Sequence, residues 1–152
     1  MKRIVSTLLA LGVSVTLVFV VTTWKHGSTT VHAQGGCTVA TLKGNYGVSW
    51  QGFDILKGGT RSVPWAGIGV ESFDGAGIVA ITFTQALNGN ITAGATGAGT
   101  YAVNPDCTAS VSFTSGDAVG ETANAVIVGG GTEVLAVSTL SSQTIMVDAK
   151  KQ

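Results

Sequence analysis

The sequence has few of the residues from which catalytic and metal sites are usually built. It contains two histidines, two cysteines and two prolines, and charged residues make up 11% of the chain. Both histidines, His26 and His32, lie in the N-terminal leader described next. A mature chain without histidine cannot form a Ser-His-Asp or Cys-His site or a histidine-ligated metal centre. Carboxylates for acid–base chemistry are also sparse, so we expect no enzymatic activity, no metal and no cofactor.

The first 33 residues have the three parts of a secretory signal peptide. Two basic residues precede a long, nearly uncharged stretch at residues 4–24, and residues 31–33 (Val-His-Ala) are typical of a cleavage site. We therefore predict a signal helix in residues 1–33 and an exported domain, periplasmic or extracellular, in residues 34–152. The apolar stretch is also about as long as a membrane helix. An uncleaved anchor is therefore the alternative, and the only membrane contact that we expect.

Loss of the leader makes the chain mildly acidic. The whole sequence is neutral, but residues 34–152 keep five basic and eight acidic residues, a formal charge of −3. Such a domain lacks the basic surface that binds phosphate backbones, which argues against nucleic acid as a partner. About 119 residues suffice for one domain. Lys and Glu are scarce and β-branched residues abundant, a composition that favours strands over helices.

Short apolar runs separated by turn signals predict about eight strands. Asp74-Gly75 and Asn88-Gly89 are typical of two-residue type I′ hairpin turns. Residues 38–43 are predicted to form a helical turn that caps one end of the fold. The predicted strands cover residues 44–54, 64–73, 77–87, 91–103, 107–114, 121–128, 133–140 and 143–149.

The short links between these runs indicate a single all-β domain with an antiparallel meander. Parallel strands would need connections of a dozen residues or more. Eight such strands suit a closed up-and-down barrel, which removes the sheet edges. A two-sheet sandwich is the alternative, although it usually needs longer connections between its sheets.

Cys37 and Cys107 are the two cysteines of the chain. In an oxidising compartment such a pair predicts a disulfide. The closed loop spans about 70 residues, for which chain-entropy arithmetic gives roughly 4 kcal/mol of stabilisation. Lipidation of Cys37 is disfavoured because Gln34 stands where an aliphatic residue is expected, and because Cys107 would lose its partner.

Alternating apolar residues place large side chains on one face of each strand, which we take as the interior. Five aromatic residues on or near that face are our candidate ligand-binding side chains: Tyr46, Trp50, Trp65, Phe83 and Tyr101. The alternative for Trp50 is a packed core residue, and for Trp65 a plug at the end of the barrel. Glu71 and Asp148 are interpreted as surface strand residues. The alternative for each is a polar group at the barrel mouth.

The opposite strand faces are rich in Thr, Ser and Ala, which predicts a smooth and weakly charged exterior. Two functions follow as hypotheses. The first is binding of a small apolar molecule in the barrel or at its mouth, as eight-stranded barrels can do. The second is a structural or adhesive role at the cell surface, through self-association or contact with surface carbohydrate.

Three segments carry a resemblance to a known family. Residues 37–47 (CTVATLKGNYG), 73–77 (FDGAG) and 99–108 (GTYAVNPDCT) together resemble a family of small exported bacterial proteins of unknown function. The resemblance implies export, the all-β architecture and a pairing of Cys37 with Cys107. Residues 42–46 are more loosely similar to calycin barrels such as avidins and lipocalins, and residues 94–101 to allene-oxide-cyclase-type barrels. These similarities concern the fold.

Overall fold

The computed structural model describes residues 36–55 and 61–152. The predicted signal peptide, residues 1–33, lies outside the described residues, and so does the segment 56–60. Cleavage or retention of the leader therefore stays a prediction. Within residues 36–55 and 61–152, no helix is long and apolar enough to cross a membrane.

In the described part of the chain, eight antiparallel strands follow a short 3-10 turn, Val39–Leu42, and close into one barrel. Each strand pairs with the next along the chain, and the first also pairs with the last, through partners such as Trp50 and Val147. The predicted closed meander is thus confirmed over the sandwich alternative. The strands are β1 (Gly44–Ile55), β2 (Ser62–Phe73), β3 (Ile78–Leu87), β4 (Asn90–Val103), β5 (Thr108–Gly116), β6 (Thr122–Val128), β7 (Glu133–Ser138) and β8 (Gln143–Lys151).

One of the two predicted type I′ turns is confirmed and the other is wrong. Asn88 and Gly89 both have positive φ, 50° and 83°, as that turn requires. After β2 the connection is longer, with positive φ at Gly75 and Gly77. There the Asp74 carboxylate accepts hydrogen bonds from the backbone N–H groups of Ala76 (2.7 Å) and Ile78 (2.9 Å). These bonds lower the pKa of Asp74 and stabilise a wider loop than the dipeptide alone predicts.

The 3-10 turn and the disulfide lie at one end of the barrel. Cys37 and Cys107 form the predicted bridge, with their Cα atoms 5.0 Å apart. The Cys37 N–H also donates to the Pro105 carbonyl at 3.2 Å. This anchor holds the segment before β1 across the end of the barrel, where the side chain of Leu42 is completely buried.

Three aromatic rings pack beneath that turn. Tyr46 and Tyr101 each meet Phe73 edge to face, with ring centroids 5.4 and 4.9 Å apart. The Tyr46 hydroxyl donates to the Gly131 carbonyl, and the Tyr101 hydroxyl donates to the Val39 carbonyl. Burial raises the pKa of both tyrosines. We call this the closed end, because its side chains and their hydrogen bonds fill the lumen.

Curvature of the sheet is accommodated at a glycine in β4. The pairing of β4 with β5 shifts register between Ala98 and Gly99. A Cβ atom at Gly99 would collide with the backbone carbonyl of Ser112. Glycine is therefore required at this bulge, and bulges of this kind let a sheet bend.

The outer face is more apolar than we predicted. The residues Ile68 and Met146 are 66% and 59% exposed, and Leu135 is 44% exposed. The expectation of a smooth Thr/Ser/Ala surface is thus wrong on the face formed by β7, β8, β1 and β2. Hydrophobic alternation could not reveal this, because both faces of these strands carry large apolar residues.

Candidate functional site: a cavity inside the barrel

The barrel encloses a cavity of about 320 Å³ between its closed end and the opposite end. Leu42 and Phe73 line it at the closed end. The inward positions of β6, β7 and β8 include Ala125, Ala136 and Ala149, which alternate with larger residues such as Val134 and Ile145. Small side chains on one wall leave the lumen unfilled, whereas larger side chains would pack an eight-stranded barrel solid.

The opposite wall is aromatic. Trp50 on β1 and Phe83 on β3 line the cavity and meet edge to face, with ring centroids 5.5 Å apart. The Trp50 indole lies against Gly67, its cross-strand partner on β2, where a Cβ atom would collide with the ring. The glycine therefore lets the indole lie flat on the wall, so that the space in front of it remains open.

The indole N–H of Trp50 is a buried donor without an acceptor. Its Nε1 atom is inaccessible to solvent and has no hydrogen-bond partner among the described residues. A buried N–H group normally finds a partner, since leaving it unpaired costs roughly 1–3 kcal/mol. The cavity that Trp50 lines is thus adjacent to an unsatisfied polar group.

The end opposite the closed end forms a polar mouth. Trp65 and Gln85 line it and are joined by a hydrogen bond from indole Nε1 to amide Oε1, 2.9 Å long. Across the opening, the Ser138 hydroxyl donates to Gln143 Oε1 (2.7 Å), and Gln143 Nε2 donates to Glu121 Oε1 (3.1 Å). These five side chains are only partly buried, whereas the closed end is fully covered. The barrel is therefore a cup that opens at this mouth.

The mouth is acidic. Asp54, Asp117 and Glu121 all line it. Burial raises the pKa of Glu121, the negative charge of Asp54 raises it further, and the hydrogen bond from Gln143 opposes both effects. Asp117 is held at the rim by the Thr96 backbone N–H, which donates to its Oδ2 atom at 2.9 Å.

A fourth carboxyl group, that of Glu71, lies deeper in the cup. Its residue is 8% exposed, points inward on β2 and lines the cavity. Its register partners are Tyr46 and Ile81, so it lies next to the closed end. No hydrogen bond or ion pair to Glu71 is formed within the described residues. Burial alone therefore raises its pKa from 4.5 to about 7.

This position corrects the interpretation of Glu71 drawn from the sequence. We expected an exposed strand residue or a group at the mouth, and the side chain is buried in the interior instead. The physical reason is that its neighbours on the inner face are Gly67 and Gly69, which carry no hydrophobic signal. Asp148, in contrast, lies on the outer face of β8, where its carboxylate is 3.4 Å from the Lys150 ammonium group.

The structure separates the five predicted binding residues into two groups. Trp50, Trp65 and Phe83 line the cavity. Tyr46 and Tyr101 are buried in the closed end, where their hydroxyl groups are occupied by backbone hydrogen bonds. Ligand contact by any of the five stays a proposal. Sequence reasoning missed the depth of Glu71 in the cavity, and it missed the polar residues at the mouth, among them Gln85 and Gln143.

The residues that line the cup are mostly apolar. Within the described ranges, no group of three or more His, Cys, Asp or Glu side chains is placed to hold a metal ion. The lining combines apolar and aromatic walls with a few polar groups at defined depths. This combination is typical of small-molecule binding sites.

Comparison with known proteins gives no family for this chain. No protein-family model, curated protein or solved structure matches it. The resemblance to exported bacterial proteins and to calycin barrels therefore stays a prediction from sequence.

Proposed function

We propose that this protein binds a small apolar ligand inside its barrel. The observation that supports the proposal is the cavity of about 320 Å³, which has an aromatic wall, a closed end and a polar mouth. Ligand sites in proteins typically measure about 300–1,000 Å³. A dry cavity of about 150 Å³ already binds benzene, so this one has room for a ligand of roughly two fused rings.

The energetics favour an occupant. Each apolar Å² removed from water contributes about 25 cal/mol, and an empty cavity forfeits the contacts that its lining would otherwise make. The Glu71 carboxyl group lines the cavity and has no partner within the described residues. A ligand with an apolar body and a polar group would fill the space and give this carboxyl group a partner.

Binding is tested with naphthylmethanol, a neutral two-ring probe, by isothermal titration calorimetry. Wild-type protein is compared with Ala136→Phe, which places a ring in the cavity from β7. The matched control is Ala80→Phe, which adds the same ring on the exposed outer face of β3. We expect saturable one-to-one binding by the wild type and the control, and loss of binding in Ala136→Phe.

The Ala136→Phe variant also has a stability readout. Filling an empty cavity adds apolar contacts, so we expect an unchanged or higher midpoint of thermal unfolding. Equal binding by Ala136→Phe and the wild type would contradict the proposal, as would no binding by either protein. If the wild type binds the probe as expected, native mass spectrometry of protein from its producing cells identifies the natural ligand.

We also propose an extracytoplasmic location. The Cys37–Cys107 bridge supports it, because structural disulfides persist in oxidising compartments and are rare in the cytosol. Fractionation of producing cells tests the location, and recovery of the protein with its thiols reduced in the cytosol would contradict it.

A second candidate function is self-association at a surface. It is favoured by the exposed apolar side chains of Ile68, Leu135 and Met146 on the outer face, since contiguous apolar patches often mark interaction sites. Analytical ultracentrifugation of the wild type and of Ile68→Lys distinguishes the cases. A concentration-dependent oligomer that the substitution abolishes supports this candidate, and a monomer at all concentrations contradicts it.

A further inference from the structure

We propose that the ligand of the cup is an apolar amine, whose ammonium group pairs with the Glu71 carboxylate while its hydrocarbon body fills the cavity. The proposal rests on the binding function above and adds the chemical class of the ligand. It is carried by a buried acidic side chain that lines the cavity and has no partner.

The position of Glu71 is the first argument. The residue is more than nine-tenths buried, it points into the cavity, and no donor or cation from the described residues reaches it. Burying a carboxyl group without a partner costs several kcal/mol in an apolar environment. A buried group of this kind is often kept for function, where a ligand supplies the missing partner.

The charge of the lining is the second argument. Four carboxyl groups line the cavity, at Asp54, Glu71, Asp117 and Glu121, whereas no Lys, Arg or His among the described residues lines it. A fatty acid or another anion would enter an acidic mouth and meet an unpaired acid inside. A cation meets negative charge at the mouth and again at Glu71. The acidic mouth also raises the local concentration of cations.

The aromatic wall is the third argument. Trp50 and Phe83 line the same cavity as Glu71, and the Phe83 register partner on β2 is Gly69, two residues before Glu71. Faces of indole and phenyl rings attract ammonium groups when water is excluded. The wall thus suits both the cationic group and the apolar body of an amine.

The proposal requires binding to depend on the protonation of Glu71. The other titratable groups around it are Tyr46 and Tyr101 at the closed end and three carboxyl groups at the mouth. An ion pair needs the carboxylate, which predominates above a pH of about 7. Amine binding should therefore strengthen as the pH rises through this value, and complex formation near neutral pH should release a proton from Glu71.

The experiment uses three probes that share one ring system: naphthylmethylamine, naphthylmethanol and naphthoate. Affinities for the full mature protein are measured by calorimetry at pH 8 and at pH 5.5, on either side of the Glu71 midpoint of about 7. At pH 8 we expect the amine to bind about tenfold or more tightly than the alcohol, with naphthoate weakest. At pH 5.5 the amine and the alcohol should bind within about twofold of each other.

Two substitutions assign the effect to the buried carboxyl group. Glu71→Gln keeps the shape and removes the charge, so the preference for the amine at pH 8 should disappear while naphthylmethanol still binds. Glu121→Gln is the matched control at the mouth and should keep most of that preference. Titration in two buffers of different ionisation enthalpy should reveal proton release by the wild type and none by Glu71→Gln.

The outcomes separate this inference from the proposed function. Equal affinities for the amine and the alcohol at pH 8 would overturn the amine inference and leave ligand binding intact. An amine preference that survives Glu71→Gln but is lost in Glu121→Gln would also overturn it, because the cation would then be held at the mouth. Failure of all three probes to bind would overturn the proposed function.

Discussion

The indole of Trp50 lies directly over Gly67, with the position of a glycine Cβ occupied by its ring carbons. The two residues are register partners on β1 and β2. This contact keeps a large side chain flat against the wall. The cavity thus depends on the absence of a side chain at Gly67 as well as on the small residues that face Trp50.

Substituting Gly67→Ala should therefore displace the Trp50 indole into the cavity. Overpacking of this kind typically costs about 1–3 kcal/mol of stability, and we expect naphthylmethanol binding to weaken about tenfold or more. Calorimetry and urea unfolding measure the two effects. The matched control is Gly47→Ala on β1, where the added Cβ would make only ordinary contacts, the nearest at 3.4 Å. Equal losses in both variants would contradict the account.

The buried carboxyl group of Glu71 should make the fold less stable as the pH rises. Its pKa is raised to about 7 in the folded protein, from 4.5, so the folded state binds more protons than the unfolded state between these values. Stability attributable to this group is then fully present below pH 4.5, falls through this window and is constant above a pH of about 7. The total loss is about 3 kcal/mol.

Urea unfolding of the wild type and Glu71→Gln across pH 5 to 8 tests whether the free energy of unfolding falls as the pH rises. The variant should show a smaller decline, because Glu121 also has a raised pKa, and it should be more stable than the wild type at pH 8. The hydrogen-bonded carboxylates of Asp74 and Asp106 have lowered pKa values, so their stabilisation is lost at more acidic pH and does not interfere. Identical pH profiles of the two proteins would refute a buried, unpartnered Glu71.

Removal of the disulfide should loosen the closed end. Replacing both Cys37 and Cys107 by Ala removes a link across 70 residues, which predicts a loss of about 4 kcal/mol. Because the bridge anchors the segment that carries Leu42, we also expect faster hydrogen exchange in residues 38–43 than elsewhere in the barrel. A loss below about 1 kcal/mol with unchanged exchange would show that packing alone holds this end.

The tyrosines of the closed end should affect stability without affecting binding. Tyr46→Phe leaves the Gly131 carbonyl without its buried donor, at a cost of about 1–3 kcal/mol. Affinity for naphthylmethanol should remain within about twofold of the wild type, since Tyr46 is buried outside the cavity lining. A large loss of affinity with unchanged stability would instead place Tyr46 in the binding site.

Much of the fold was predictable because the turn signals lie where the strands end. All eight predicted strands are present, and their boundaries lie within about two residues of those observed, as is usual for such assignments. The helical turn before β1 is confirmed as Val39–Leu42. The loop at Asp74 was mispredicted, because side-chain hydrogen bonds rather than the dipeptide determine its shape.

The site was less predictable, because hydrophobic alternation fails on β2. Its inner face carries Gly67, Gly69 and Glu71, whereas its outer face carries Ile68 and Val70. The apolar pattern alone would place Ile68 and Val70 in the interior and Glu71 on the surface. Only the closure of the barrel, with Trp65 and Phe73 on the same side as the glycines, fixes which face is buried and so places the acid in the cavity.

The position of each side chain along the barrel axis could not be predicted from the sequence either. Tyr46 and Trp50 share the inner face of β1, yet one lies in the closed end and the other beside the cavity. The stagger between neighbouring strands sets these levels, and no local pattern encodes it. The sequence thus assigned the aromatic residues to the correct face of the strands. Their positions along the barrel axis could be determined only from the structure.

The most direct test is a crystal structure of residues 34–152 soaked with naphthylmethanol. We expect density for the naphthyl group inside the barrel, between the ring of Phe83 and Ala136 on the facing wall, with the closed end unchanged. An empty barrel, or density confined to the outer face near Ile68 and Met146, would contradict the claim that the cavity is the binding site.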